Sequence, residues 1–106
     1  MMANDGYRPR ERAMDFEWDE AKAEANERKH GVPFTEAMTV FGDPLSLTGY
    51  DPDHSEDEDR YITMGLWAVG RLLIVSHTDR GDNIRIISAR QASPRERKDY
   101  EDGNFP

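Results

Sequence analysis

The sequence predicts an α+β fold, a β-sheet with two helices near the N-terminus and one short helix at the C-terminus. Three observations carry this. Leu72-Leu73-Ile74-Val75 is continuously apolar, as a central strand buried on both faces requires. Asp79-Arg80-Gly81-Asp82-Asn83 is rich in turn-forming residues and separates two strand-like segments, the pattern of a hairpin. Ser93-Pro94-Arg95-Glu96 combines a capping box with proline at the first helical position, the best local signal in the chain.

Taken in order, residues 1–14 are polar, charged and without period, so a disordered extension is expected there, with Met14 an alternative start, ahead of a single domain over residues 15–103. Phe16-Glu17-Trp18 alternates and reads as a short strand. Asp19 is a plausible N-cap for a helix over about residues 20–29. Gly31 follows Lys29-His30, where a helix end favours a left-handed residue and positive charge. The apolar face of this helix is thin, Ala21 and Ala25. Thr35 can cap a second helix over about 36–41, turning Ala37, Met38, Val40 and Phe41 to the core before Gly42-Asp43-Pro44 stops it. Leu45 to Thr48 reads as a strand and Asp51 to Asp59 as a charged loop. Strands follow at Tyr61–Val69, Arg71–Thr78 and Ile84–Arg90, with Gly70 in the turn between the first two. Gly103 can end the closing helix. The order is β-α-α-β-β-β-β-α, with one antiparallel meander.

With 106 residues, 36% hydrophobic and 34% charged, the chain can bury one compact core. It has no cysteine, hence no disulfide and no thiolate zinc site. No apolar run approaches the roughly 20 residues of a membrane span, and the N-terminus lacks the apolar centre of a secretory signal. A soluble cytoplasmic protein without membrane contact is expected. The net charge of −8 is unevenly spread: residues 71–98 hold 7 Lys+Arg against 3 Asp+Glu, whereas residues 1–70 hold 7 against 16. Because the Debye length is about 8 Å in cell-like salt, a basic face can act locally while the opposite face is acidic. A surface of mixed signs is the alternative.

The acidic loop fails as a calcium site, since Glu56 and Ile62 stand where an EF-hand loop needs glycine and glutamate. His54 there reads as an exposed bystander. The histidines His30, His54 and His77 fit no metal spacing, so neither metal nor cofactor is expected. His77, at the end of the central strand, is either structural or a proton-transfer group. Arginine is rarely buried unpaired, so the last strand raises a question. Strict alternation puts Ile84, Ile86, Ser88 and Arg90 on one face and Arg85, Ile87 and Ala89 on the other. A twist, or a bend near Ala89, could bring Arg85 and Arg90 together; otherwise Arg85 binds and Arg90 pairs with an acid such as Glu96. In the last helix Glu96, Arg97 and Tyr100 have the spacing of one face. Such a cluster could hold a phosphate, or could clamp the helix to the sheet by salt bridges alone.

FEWDEAKAEANERKHGVPF, AMTVFGDPL, DEDRYITMG and IRIISARQASPRERKDYE together resemble the BrnT family of type II toxins, over about residues 15–101. The resemblance implies a RelE-like fold, a twisted antiparallel sheet with two N-terminal helices and one short C-terminal helix. It implies a ribonuclease that blocks translation, a BrnA-like ribbon-helix-helix antitoxin, and operator DNA met only through the antitoxin complex. On this basis the expected chemistry is metal-independent attack of an RNA 2′-hydroxyl on the adjacent phosphate. Arg85 and Arg90 would stabilise charge, and His77, Glu96 and Tyr100 would transfer or orient protons. Lys29, His30, Arg80 and Arg97 would contact the RNA backbone. The alternative is a non-catalytic binding module of a toxin-derived repressor complex, whose arginines make salt bridges only.

Overall fold

The structure, a computed structural model, describes residues 15–67 and 70–104, so the extension expected over residues 1–14 lies outside the described residues, as do Ala68 and Val69 at the end of a predicted strand. Its elements are β1 (Asp15–Glu17), α1 (Glu20–His30), α2 (Phe34–Ala37), β2 (Leu47–Tyr50), β3 (Arg60–Leu66), β4 (Leu72–Arg80), β5 (Asn83–Gln91) and α3 (Pro94–Glu101). The sheet order is β1-β5-β4-β3-β2. The pairs β5–β4, β4–β3 and β3–β2 are antiparallel, as expected of the meander. At one edge β1 adds in parallel to β5, which makes the five-stranded sheet mixed.

Strand β4 lies at the centre, and Leu72, Leu73, Ile74 and Val75 are all buried, because both faces of the sheet are covered there. One face packs under the N-terminal helices. Val32, Phe34, Ala37 and Val40 meet Leu73, Val75, Ile86 and Ala89, with Phe16, Trp18 and Phe41 at the margin. On the other face Met64, Leu72 and Ile74 pack with Leu47, Ile62, Ala92 and Tyr100 from α3. Among the described residues, only one end of that second face is roofed by a helix.

Helix α1 begins on Asp19, whose side chain accepts from the Lys22 amide, and ends at Gly31 with φ 71°. Its inward face differs from the expected one. Ala21 and Ala25 are exposed, and Asn26 is the buried contact. Asn26 Nδ2 donates to the carbonyls of Val32 (3.0 Å) and Ala89 (2.9 Å), and its Oδ1 accepts from the Ala89 amide (3.1 Å). A helix with so few apolar residues is thus tied to β5 by a side chain that behaves as a strand neighbour. An apolar pattern does not reveal such a face, because a buried amide with its hydrogen bonds made is a stable solution.

Helix α2 is shorter than expected and starts earlier, with Pro33 in place of Thr35 before its first turn, and continues as a 3₁₀ turn over Met38–Gly42. In this tighter winding Met38 turns outward while Val40 stays buried. The turn lies so close to β3 that a Cβ on Gly65 would come within 3.0 Å of the Val40 carbonyl oxygen. Strand β2 begins at Leu47, two residues later than predicted, and leaves Leu45 exposed.

Candidate active site

The unroofed part of the second sheet face is a cleft of about 400 Å³, lined by Asp51, His54, Arg60, Ile62, Ile74, Ser76, Ile87, Ser88 and Arg90. Its floor comes from β3, β4 and β5. Its mouth is formed by the segment that joins β2 to β3. Arg90 belongs here because β5 is bulged. Ser76 pairs with Ser88, but His77 pairs with Ile86, so Ile87 is an extra residue without its own partner. The bulge changes the parity of the strand. Arg85 lies opposite Thr78 and Arg90 opposite Ile74, and positions four apart on β4 share a face. Arg85 and Arg90 therefore project from the same side of the sheet. Strict alternation set them on opposite sides; the disruption lies at Ile87 rather than at Ala89.

Arg60 reaches this face by the same pairing logic, since it too lies opposite Thr78. Its guanidinium carries a loose ion pair, Nε to Glu58 Oε2 at 3.5 Å, and that buried Nε has no hydrogen-bond partner among the described residues. Arg90 holds Glu96 in a fork, Nη1 to Oε1 at 2.8 Å and Nη2 to Oε2 at 2.9 Å, while 45% of its side chain remains exposed. The hydrogen bonds from Arg90, helped by the Ser93 amide, hold the Glu96 carboxyl down to about 2. Glu96 is thus ionised throughout the physiological range and acts as an acceptor. Ser93 and Glu96 also complete the capping box that starts α3. One carboxylate therefore fixes both the helix start and the arginine.

Arg85 sits on the same face but outside the cleft lining, bound to Glu17 of β1 at 2.9 Å, where Asn83 also donates to Glu17. Arg80 and Arg97 are exposed, on the end of β4 and on α3. Tyr100 points its hydroxyl at Asp43 Oδ2, 2.6 Å away. Burial and this carboxylate push the phenol up to about 12. Burial tends to raise Asp43, but donors from Leu66, Tyr100 and Leu45 lower it on balance. The Tyr100–Asp43 bond anchors α3 to the turn before β2.

Three expected site residues lie on the other side of the sheet. His77 projects from the opposite, helix-covered face, edge-on to Phe41 at 4.9 Å and bonded through Nε2 to Thr63 Oγ1 at 2.7 Å. It is 5% exposed, and burial lowers its pKa to about 4. Lys29 and His30 end α1, on that same covered side, and do not line the cleft.

Of the cleft residues, Arg60 and Asp51 had no assigned role in the sequence reading, and His54 was read as an exposed bystander. Pro52–His54 form a 3₁₀ turn, and a turn of three residues stacks position i on i+3. Asp51 Oδ2 is consequently 2.8 Å from His54 Nδ1. The turn is seated firmly. Asp51 donates its amide to the Arg60 carbonyl at 2.9 Å, and Ser55 Oγ donates to the Asp51 carbonyl (2.6 Å) and accepts from the Arg60 amide (2.9 Å). What reads as a solvated acidic loop is a folded rim, and the spacing of Asp51 and His54 is the signal that could have found it.

Comparison with known proteins agrees with the fold. Residues 18–96 match the family described as the ribonuclease toxin BrnT of the type II toxin–antitoxin system. The chain belongs to the BrnT family. The crystal structure of the Brucella abortus ribonuclease toxin BrnT is similar, with a TM-score of 0.57 and 25% identity, over 76% of this chain and 99% of that one. No curated protein matches the chain. Membership of the BrnT family brings with it a ribonuclease-toxin class, an antitoxin partner and RNA as substrate. Among the described residues no helix is long and apolar enough to cross a membrane.

Proposed function

We propose that the chain is a cytoplasmic, metal-independent endoribonuclease that halts translation, with its active site in the cleft between Arg60 and Arg90. In this reading an RNA 2′-hydroxyl attacks the neighbouring phosphorus and the bond to the 5′-oxygen breaks, leaving a 2′,3′-cyclic phosphate. The extra negative charge of the transition state falls between the two guanidinium groups. Glu96 keeps Arg90 aimed. Arg85, Arg80 and Arg97 guide the flanking RNA backbone, and Tyr100 keeps α3 in position. A BrnA-like ribbon-helix-helix antitoxin neutralises the toxin, and the pair represses its own operon, meeting operator DNA only through that complex. Residues 15–103 are the working domain.

The observation that supports this reading best is the bulge at Ile87, because it lets Arg90 share one cleft with Arg60. Arginines planted on a sheet floor are held more rigidly than loop arginines, and preorganised charge acts most strongly on a developing oxyanion. The pairing of Arg85 with Glu17 and of Arg90 with Glu96 supports a second reading, a non-catalytic module whose arginines serve only structure.

Cleavage of a short RNA by purified protein, in the presence of a chelator, separates the two. The catalytic reading expects cleavage with cyclic phosphate ends, and a loss of about a hundred- to thousandfold in Arg60→Ala and Arg90→Ala. A folded protein that leaves RNA intact, or cleaves equally well without both arginines, contradicts it.

A further inference from the structure

We infer that His54 is the general base of the cleft, held in its working tautomer by Asp51. The inference rests on the ribonuclease reading above and adds the group that reading lacks. Attack by a 2′-hydroxyl requires an acceptor for its proton. Arg60 and Arg90 cannot accept one, because guanidinium groups have donors only. Glu96 is engaged by both nitrogens of Arg90 and by the Ser93 amide. Ser76 and Ser88, on the floor, are too weakly basic. Among the cleft lining this leaves Asp51 and His54.

Asp51 and His54 divide the task by position. The Asp51 side chain is 13% exposed and that of His54 67%, so the imidazole is the member that reaches a ligand. An ionised carboxylate only accepts hydrogen bonds. At 2.8 Å Asp51 Oδ2 therefore takes the proton on Nδ1, and Nε2 is left with its lone pair directed away from Asp51. Nε2 makes no hydrogen bond among the described residues. In the reaction the 2′-oxygen bonds to phosphorus and its proton passes to Nε2. The phosphorus–5′-oxygen bond then breaks, and the departing oxygen takes a proton from water at the open mouth. The imidazolium formed is stabilised by Asp51 and afterwards returns its proton to solvent. The same buried-acid, exposed-imidazole arrangement orients a base in unrelated hydrolases. Around His54 stand Asp53, Glu56, Asp57 and Glu58 on its own segment and Arg60 and Arg90 from the sheet.

The test is single-turnover cleavage of a short RNA across pH 5–9 by wild type, His54→Gln and Asp51→Asn, beside binding of the same RNA with a 2′-deoxy substitution at the cleaved position. His54→Gln is expected to lose about a hundred- to ten-thousandfold in rate. Its affinity for the uncleavable RNA should stay near wild type, and the acidic limb of the rate profile should disappear. Asp51→Asn should lose less, since the imidazole stays in place but loses the carboxylate that fixes its tautomer. In His54→Ala, added imidazole should restore part of the rate, which a structural role would not allow. Wild-type rate and an unaltered pH profile in His54→Gln overturn the assignment while leaving the ribonuclease reading intact. Absence of cleavage by wild type itself overturns the ribonuclease reading and this base with it.

Discussion

Asn26 and His77 are buried polar residues on the helix-covered face, and they meet burial in opposite ways. Asn26 spends its amide on three backbone partners of Val32 and Ala89 and so joins α1 to β5. His77 has one partner, Thr63, which in turn meets Thr48, and its Nδ1 is buried without any hydrogen bond among the described residues. An imidazole so placed is stable only when neutral. Its folded pKa of about 4 lies below the ordinary 6.5, so the unfolded chain binds the proton more readily. Stability carried by His77 is complete above pH 6.5 and is lost as pH falls from 6.5 toward 4. Urea unfolding at pH 7 and pH 5 should show a loss of about 2 kcal/mol in wild type from this group. His77→Gln should lose that part of the pH dependence.

At the scale of elements, α3 is short and has no buried residue of its own, so its attachment decides whether it stays on the sheet. Among the described residues, two polar contacts attach it. Glu96 holds Arg90 near its start, and Tyr100 reaches Asp43 near its end. Tyr100→Phe keeps the ring against Ile74 and its neighbours but removes the hydroxyl. A loss of about 1–2 kcal/mol is expected by urea unfolding. Amide exchange over residues 94–101 should quicken first. RNA cleavage should be retained, whereas a proton-transferring tyrosine would take activity with it. The capping box, the hairpin and the central strand were all legible, because each is written in neighbouring residues. The parallel pairing of β1 with β5 was not, since it joins Asp15–Glu17 to Asn83–Arg85 across most of the chain. Nor was the shift of α2 into a 3₁₀ turn, which follows from its close approach to Gly65.

The whole molecule is acidic, yet its cleft has two arginines, and this combination sets how it should meet RNA. Most of the surface repels a polyanion, and affinity rests on few contacts. Each phosphate neutralised on a single strand contributes about −0.7 to the slope of log K against log salt. With Arg60 and Arg90 sharing the phosphate at the cleavage point and Arg80, Arg85 and Arg97 each meeting one flanking phosphate, the slope should be about −2.8, by anisotropy with the 2′-deoxy-substituted RNA. Arg97→Ala should reduce its magnitude by about a quarter. A slope near about −0.7 would mean that Arg80, Arg85 and Arg97 do not bear on the RNA.

The sequence by itself determined the α+β class, the order of most elements, the central position of β4, and the segment carrying the arginines and the closing helix. These follow from local patterns, in which apolar period, caps and turn residues act over a few positions. Only the tertiary structure decided which arginines share a surface and which histidine stands beside them. One extra residue at Ile87 reverses the side on which Ser88 and Arg90 project, and alternation alone has no means of counting it. His54 and Asp51 meet because hydrogen bonds from Ser55 and Arg60 close the rim into a turn. Such contacts depend on how strands already paired bring their ends together, and that pairing is a property of the folded chain.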